Sequence, residues 1–170
     1  MPIKVVMSQK EKDFSELIKI NQGLIIKVSR MYTNTLEDEQ DLFQEIVLQL
    51  WRSFDSFNGQ SKISTWMYRV SLNTAITLFR KSSKSPKTNE LNEGFYNTPE
   101  DNQHEQRQQV ELLYKVIKKL PEVERAIVMM YLDELSYKEI AETLGITEVN
   151  ARVKMNRLKK TLKTLMEQYA

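Results

Sequence analysis

The sequence predicts an all-α fold: two small helical domains joined by a flexible linker, the C-terminal one a helix–turn–helix. Three observations carry this. Apolar side chains recur at steps of three and four along most of the chain, and no segment alternates with the two-residue rhythm of a strand. Glycine and proline are scarce, four of each in 170 residues, while leucine, glutamate, lysine and glutamine are common, a composition that favours helices. From Ser82 to Gln108 the periodicity stops in a polar stretch with two prolines, long enough to separate two domains rather than turn within one. The expected boundaries are 10–82, linker 83–108 and 109–168.

The elements follow in order. Phe14, Leu17, Ile18, Leu24, Ile25, Val28, Met31 and Tyr32 mark a first amphipathic helix. Thr35, with Asp38 three residues on, reads as a capping box that opens a second, whose apolar side is Leu42, Ile46, Val47, Leu50 and Trp51. The stretch SFDSFNGQSKIS (53–64) breaks the pattern at Gly59, and a third helix follows through TWMYRVSLNTAITLFRK. Beyond the linker, Val110, Leu113, Val116, Ile117 and Leu120 make a short helix that ends at Pro121, which can start the next, through about Leu132. Ser136 and Glu139 form another capping box, Gly145 closes that helix, and Thr147 caps the last.

Composition excludes more than it assigns. Net charge is only +2, so partners must be read from the distribution of charge rather than its total. The absence of cysteine removes disulfides and thiolate chemistry and suits a cytoplasmic setting. No apolar run approaches the ~20 residues of a membrane span, and no signal-peptide pattern is present, so no membrane insertion is expected. A single histidine, His104, rules out a histidine-dependent triad or a multi-histidine metal site, and no phosphate-binding glycine loop is present. The expectation is a protein that is not an enzyme, with no cofactor, metal or small-molecule substrate.

Two segments carry the functional signal. Counting from Tyr137, a helix–turn–helix needs a buried fourth residue, a small fifth, a glycine at the ninth and an apolar tenth; Ile140, Ala141, Gly145 and Ile146 supply them. Ala151, Met155, Leu158, Leu162 and Leu165 then line one side of the last helix. At about 100° per residue, the other side collects Val149, Arg152, Val153, Asn156, Arg157, Lys160 and Lys163. Arginine and asparagine can hydrogen-bond base edges in a major groove, and the later lysines can neutralise phosphates. The competing reading is a merely solvated basic face. The second helix is instead acidic, with Glu37, Asp38, Glu39, Asp41 and Glu45 and no cation between Met31 and Trp51. Carboxylates in a first turn complement the positive helix end, but Gln44 and Glu45 lie deeper and suit a basic protein partner. In the third helix Trp66, Arg69, Asn73, Phe79 and Arg80 interleave aromatics, cations and an amide, as single-strand binders do. Trp66 and Phe79 could equally fill a core.

The order of these motifs is recognisable. DEQDLFQEIVLQLWRSFDSFNGQSKISTWMYRVSLNTAI resembles region 2 of the extracytoplasmic-function (ECF) sigma factors of bacterial RNA polymerase, and LPEVERAIVMMYLDELSYKEIAETLGITEVNARVKMNRLKKTL resembles region 4. The resemblance implies a dissociable sigma factor, a monomer that binds core polymerase through its β and β′ subunits and directs it to promoter DNA. Asp41, Leu42, Gln44, Glu45 and Trp51 match the motif that docks on the β′ clamp. The loop with Phe57, Asn58, Gly59, Ser61 and Lys62 would hold a base flipped from the minus-ten element, a step costing a few kcal/mol that the site must repay. Asn73 matches a position beside that DNA; Arg69 and Arg80, by charge and placement rather than by motif, and Trp66 are expected as further minus-ten contacts. The last helix would read the minus-thirty-five element with Thr147, Val149, Asn150, Arg152, Val153, Asn156, Arg157 and Lys160. The linker, with Glu90, Glu93, Glu100, Asp101 and Glu105, would thread the polymerase near the RNA exit path.

The resemblance further implies an anti-sigma factor, often tied to a membrane receptor. Val153 and Asn156 depart from common family residues, so no promoter sequence carries over. The alternative is a dimeric helix–turn–helix regulator that binds an operator without polymerase. It leaves STWMYRVSLNTAI without a purpose.

Overall fold

The computed structural model describes residues 6–84 and 104–170. Seven α-helices and one 3₁₀ turn, with no strand, account for the regular structure among these residues. Helix α1 spans Gln9–Met31 and opens with a reciprocal cap: the Ser8 hydroxyl accepts from the Glu11 N–H at 3.3 Å, and the Glu11 carboxylate accepts from the Ser8 N–H at 2.6 Å. Helix α2 spans Leu36–Ser53, capped by the Thr35 hydroxyl, which accepts from the Asp38 N–H at 3.1 Å. The return half of the expected box is not made; aspartate is a methylene shorter than the glutamate that makes it in α1. A 3₁₀ turn at Phe54–Ser56 and the loop holding Gly59 lead to α3, Ile63–Ser83.

These three helices close around Ile25, Val28, Met31, Leu42, Ile46, Leu50, Met67, Leu72 and Ala75, each 5 % exposed or less. Truncating one buried Leu, Ile or Met costs about 2–5 kcal/mol, whereas a surface ion pair is worth about 0–1 kcal/mol. The fold of this half therefore rests on its core. The exposed carboxylates of α2 are left to other work.

The C-terminal half comprises α4 (His104–Ile117), α5 (Glu122–Leu132), α6 (Tyr137–Leu144) and α7 (Glu148–Tyr169). Helix α4 begins at His104, inside the stretch given to the linker by sequence. Its first turns, HEQRQQ, are good helix formers without an apolar face, so propensity is present where periodicity is not. Glu105 thus belongs to α4, while Glu90, Glu93, Glu100 and Asp101 lie outside the described residues.

Two of the three helix–turn corners of this half use a left-handed residue. Gly145 (φ 67°) follows α6, and Ile146 N–H reaches back to the Ala141 carbonyl at 3.1 Å. After α5 the same corner falls on Glu134 (φ 63°), with Leu135 N–H on the Met130 carbonyl at 3.0 Å.

The two halves pack against each other, and their buried side chains form one cluster. Asp133, at the end of α5, accepts from the Tyr68 hydroxyl of α3 and from Lys27 Nζ of α1 at 2.5 Å. Tyr32 donates to the Glu122 carbonyl at 2.6 Å, and Lys118 Nζ to the Thr33 carbonyl at 2.6 Å. Arg125 donates to the Met31 and Leu120 carbonyls at 3.0 and 2.8 Å, with its guanidinium over the Phe79 ring at 4.8 Å. Burial lowers the pKa of both Lys118 and Arg125 and raises that of Tyr32. Burial also raises that of Tyr68, helped by its bond to Asp133.

Candidate nucleic-acid interface

The C-terminal surface is built by the corner at Gly145. Ile140 and Ala141 of α6 and Ala151, Met155 and Leu158 of α7 are buried where the helices cross. Leu162 and Leu165, expected on the same side, are half-buried and packed against the edge of the core. Ser136 and Glu139 form the predicted box, at 3.1 and 2.7 Å, and the Ser136 N–H is the main cause of a lowered Glu139 pKa. The Thr147 hydroxyl caps α7, accepting from the Asn150 N–H at 3.1 Å.

With that side anchored, Val149, Asn150, Arg152, Val153, Asn156, Arg157, Lys160 and Lys163 are all exposed. Val149 is 67 % exposed and Val153 41 %, two apolar side chains set among cations and amides. Such a face offers donors to base edges, a charge field to phosphates and methyl contacts to thymine. Arg152 is already oriented. Its Nη2 reaches Glu148 Oε1 at 3.3 Å, and its guanidinium lies 5.1 Å from the Tyr137 ring centre.

The N-terminal surface is divided differently from the sequence expectation. On α2, Asp41 and Gln44 are exposed and Glu45 is half-buried, with Gln49 donating to it at 2.8 Å. Leu42 is a core residue, and Trp51 packs edge-on to Phe14 at 5.1 Å beneath Lys10 Nζ. In the loop, Asn58 Oδ1 accepts from the Gln60 N–H at 3.2 Å, and Gly59 takes φ 74°. Phe57 lies against Trp66 at 5.2 Å, and Trp66 is only 8 % exposed: it closes the core here rather than presenting a stacking platform. Asn73 is exposed on α3.

The cations expected beside it are engaged by the other half. Arg80 Nε donates to Glu122 Oε1 at 2.9 Å, Arg69 Nη2 to the Glu142 carbonyl at 3.4 Å, and Lys62 Nζ lies 3.3 Å from Glu139 Oε1. An open cleft separates Gln60, Ser61, Lys62 and Thr65 from Glu134, Ser136, Lys138, Glu139 and Glu142. Sequence reasoning passed over Asp133 and Arg125, the hubs of this seam. The one hint available was a lone arginine in the apolar stretch EVERAIVMMYL.

Comparison with known proteins agrees with the architecture. Residues 17–85 match Sigma-70 region 2 and residues 111–162 match Sigma-70, region 4. The chain is 31 % identical over 133 residues to the RNA polymerase sigma factor YlaC of Bacillus subtilis, covering 74 % of this chain and 77 % of that protein. It is 27 % identical over 175 residues to the ECF RNA polymerase sigma-E factor of Escherichia coli, covering 94 % and 90 %. Among solved structures, the sigma factor RpoE in complex with the anti-sigma factor NepR from Bartonella quintana superposes with a TM-score of 0.75 at 16 % identity, covering 92 % of this chain and 98 % of that one. CnrH, in complex with the cytosolic domain of CnrY, gives 0.67 at 18 % identity, covering 94 % and 90 %. With both regions matched in one chain and with these similarities to named sigma factors, the chain belongs to the extracytoplasmic-function branch of the sigma-70 family of RNA polymerase sigma factors.

Proposed function

We propose that the protein is a dissociable specificity subunit. It binds core RNA polymerase through α2, reads the minus-thirty-five element with α7, and captures an unstacked base of the minus-ten element beside α3. The observation that carries this reading is the pair of regions on one chain, 17–85 and 111–162, each presenting its own surface. Two sites on one chain raise promoter affinity through effective concentration. Asp41, Gln44 and Glu45 are the polymerase contacts that solvent or a partner can reach, while Leu42 and Trp51 hold α2 in place from behind. No covalent chemistry is required of any residue, and the reading is that of a non-enzymatic initiation factor in the cytoplasm.

The arrangement of the halves belongs to the same reading. Arg69, Arg80 and Lys62 cannot hold minus-ten DNA while Glu142, Glu122 and Glu139 engage them. The closed chain is thus the form outside the holoenzyme, and promoter capture requires the halves to part. RpoE was solved with the anti-sigma factor NepR, and CnrH with the cytosolic domain of CnrY. A protein inhibitor of that kind, holding the halves together, is the partner proposed for this chain.

The direct test is binding of labelled protein to core polymerase, with Gln44→Ala and Glu45→Arg alongside. Tight wild-type binding, weakened in both variants without loss of fold, is expected. Equal binding by all three would remove α2 from the polymerase surface. No binding by folded wild type would leave an operator-binding regulator.

A further inference from the structure

A ladder of four side chains runs beside the recognition helix. Arg152 lies over Tyr137 at 5.1 Å, Tyr137 stacks on Tyr131 at 6.2 Å with 26° between the rings, and Lys159 Nζ lies over Tyr131 at 4.6 Å. Arg152 and Lys159 are seven residues apart, so two turns bring them to the same flank of α7, at the edge of its exposed face. The rings come from elsewhere: Tyr131 from the last turn of α5 and Tyr137 from the first residue of α6. A stack contributed by two helices is therefore gripped at both ends by cations of a third. A hydrogen bond with the Tyr131 hydroxyl also raises the pKa of Lys159.

The geometry bears on how Arg152 reads a base. A guanidinium has two faces for stacking and a rim of N–H donors for hydrogen bonding. The Tyr137 ring holds the guanidinium carbon 5.1 Å from its centre, and the N–H rim is the part that pairs with the O6 and N7 acceptors of guanine. Glu148 holds one rim nitrogen at 3.3 Å, in a pair exposed by about half on both sides, from which a base can displace it. An arginine without the ring would sample many rotamers on an exposed helix face and lose that freedom on binding. Both tyrosines are half-buried at the edge of the core.

We propose that Tyr137, backed by the Tyr131–Lys159 pair, is a positioning residue that presets Arg152 for base readout in the minus-thirty-five element. This rests on the reading of α7 as the promoter-reading helix, and the test separates the two. Holoenzyme made with wild-type, Tyr137→Phe, Tyr137→Leu or Arg152→Ala protein selects promoters from templates randomised across the minus-thirty-five element. Arg152→Ala locates its base pair by the position where preference collapses. Tyr137→Leu should weaken preference at that position alone by about two- to fivefold, the share of an exposed cation–π contact. Tyr137→Phe should retain it.

A merely structural role predicts loss at every position, or reduced polymerase binding, and either result overturns the proposal. Unchanged preference in Tyr137→Leu overturns it as well. If Tyr137→Leu does not fold, Tyr131→Leu must give the same single-position loss. If wild-type holoenzyme selects no minus-thirty-five sequence, the reading of α7 itself fails.

Discussion

Arg125 carries its charge into the seam between the halves, where carbonyls of Met31 and Leu120 and the ring of Phe79 replace water. Asn73 is its opposite: an exposed amide that the packing of α3 does not require. A side chain kept in solvent is open to a partner, and the partner proposed for it is minus-ten DNA. Asn73→Ala should leave thermal stability and core binding unchanged and slow open-complex formation, read by permanganate reactivity of unstacked thymines. Unaltered melting of a cognate promoter would reassign the residue. What could be read at this scale was local. Caps at Ser136 and Thr147 and the glycine at 145 act within five residues, and each was legible. The partners of Arg69, Arg80 and Lys62 lie 42 to 77 positions away in sequence, where no spacing rule reaches. The burial of Trp66 was hidden for another reason, since an aromatic among cations suits a core and a stacking surface equally.

At the scale of elements, the corner between α6 and α7 sets the direction in which α7 leaves the body. Gly145 sits at φ 67° with open space where a Cβ would stand, so alanine meets backbone strain and no clash. Gly145→Ala should cost about 1–2 kcal/mol, seen as a lower urea midpoint with an unchanged slope. A larger loss would mean that α7 had been redirected as well. Helix count and type were legible because each long helix repeats its apolar side. The start of α4 was not, since HEQRQQ has helix propensity but no apolar side to repeat.

At the scale of the whole molecule, the seam is held by charged pairs whose members face water in part. The Arg80 guanidinium holds the Glu122 carboxyl below its ordinary value. A depressed carboxyl pKa contributes stability that is present above the unfolded value of about 4.5 and lost as pH falls through the folded value. Acidification into that range should therefore favour separation of the halves, and Arg80→Glu should favour it at neutral pH. The chain has no cysteine, so one introduced on α2 and one on α7 would report both changes by energy transfer. Transfer that does not fall in either case would show that the apolar contacts of the seam hold it closed unaided. The chain order of the halves was legible in sequence; their embrace was not, because its contacts join residues with no shared periodicity.

The same charged seam has a consequence in ionic strength. Added salt screens Lys27–Asp133, Arg80–Glu122 and Lys62–Glu139, pairs at 2.5, 2.9 and 3.3 Å, and so raises the open fraction. Salt also weakens phosphate contacts, and the affinity of a simple DNA binder falls along a line whose slope counts them. In this chain the two effects oppose each other. DNA binding by the free subunit should therefore decline with salt less steeply than its cations require, and the missing slope measures how many counterions the protein had been supplying to itself.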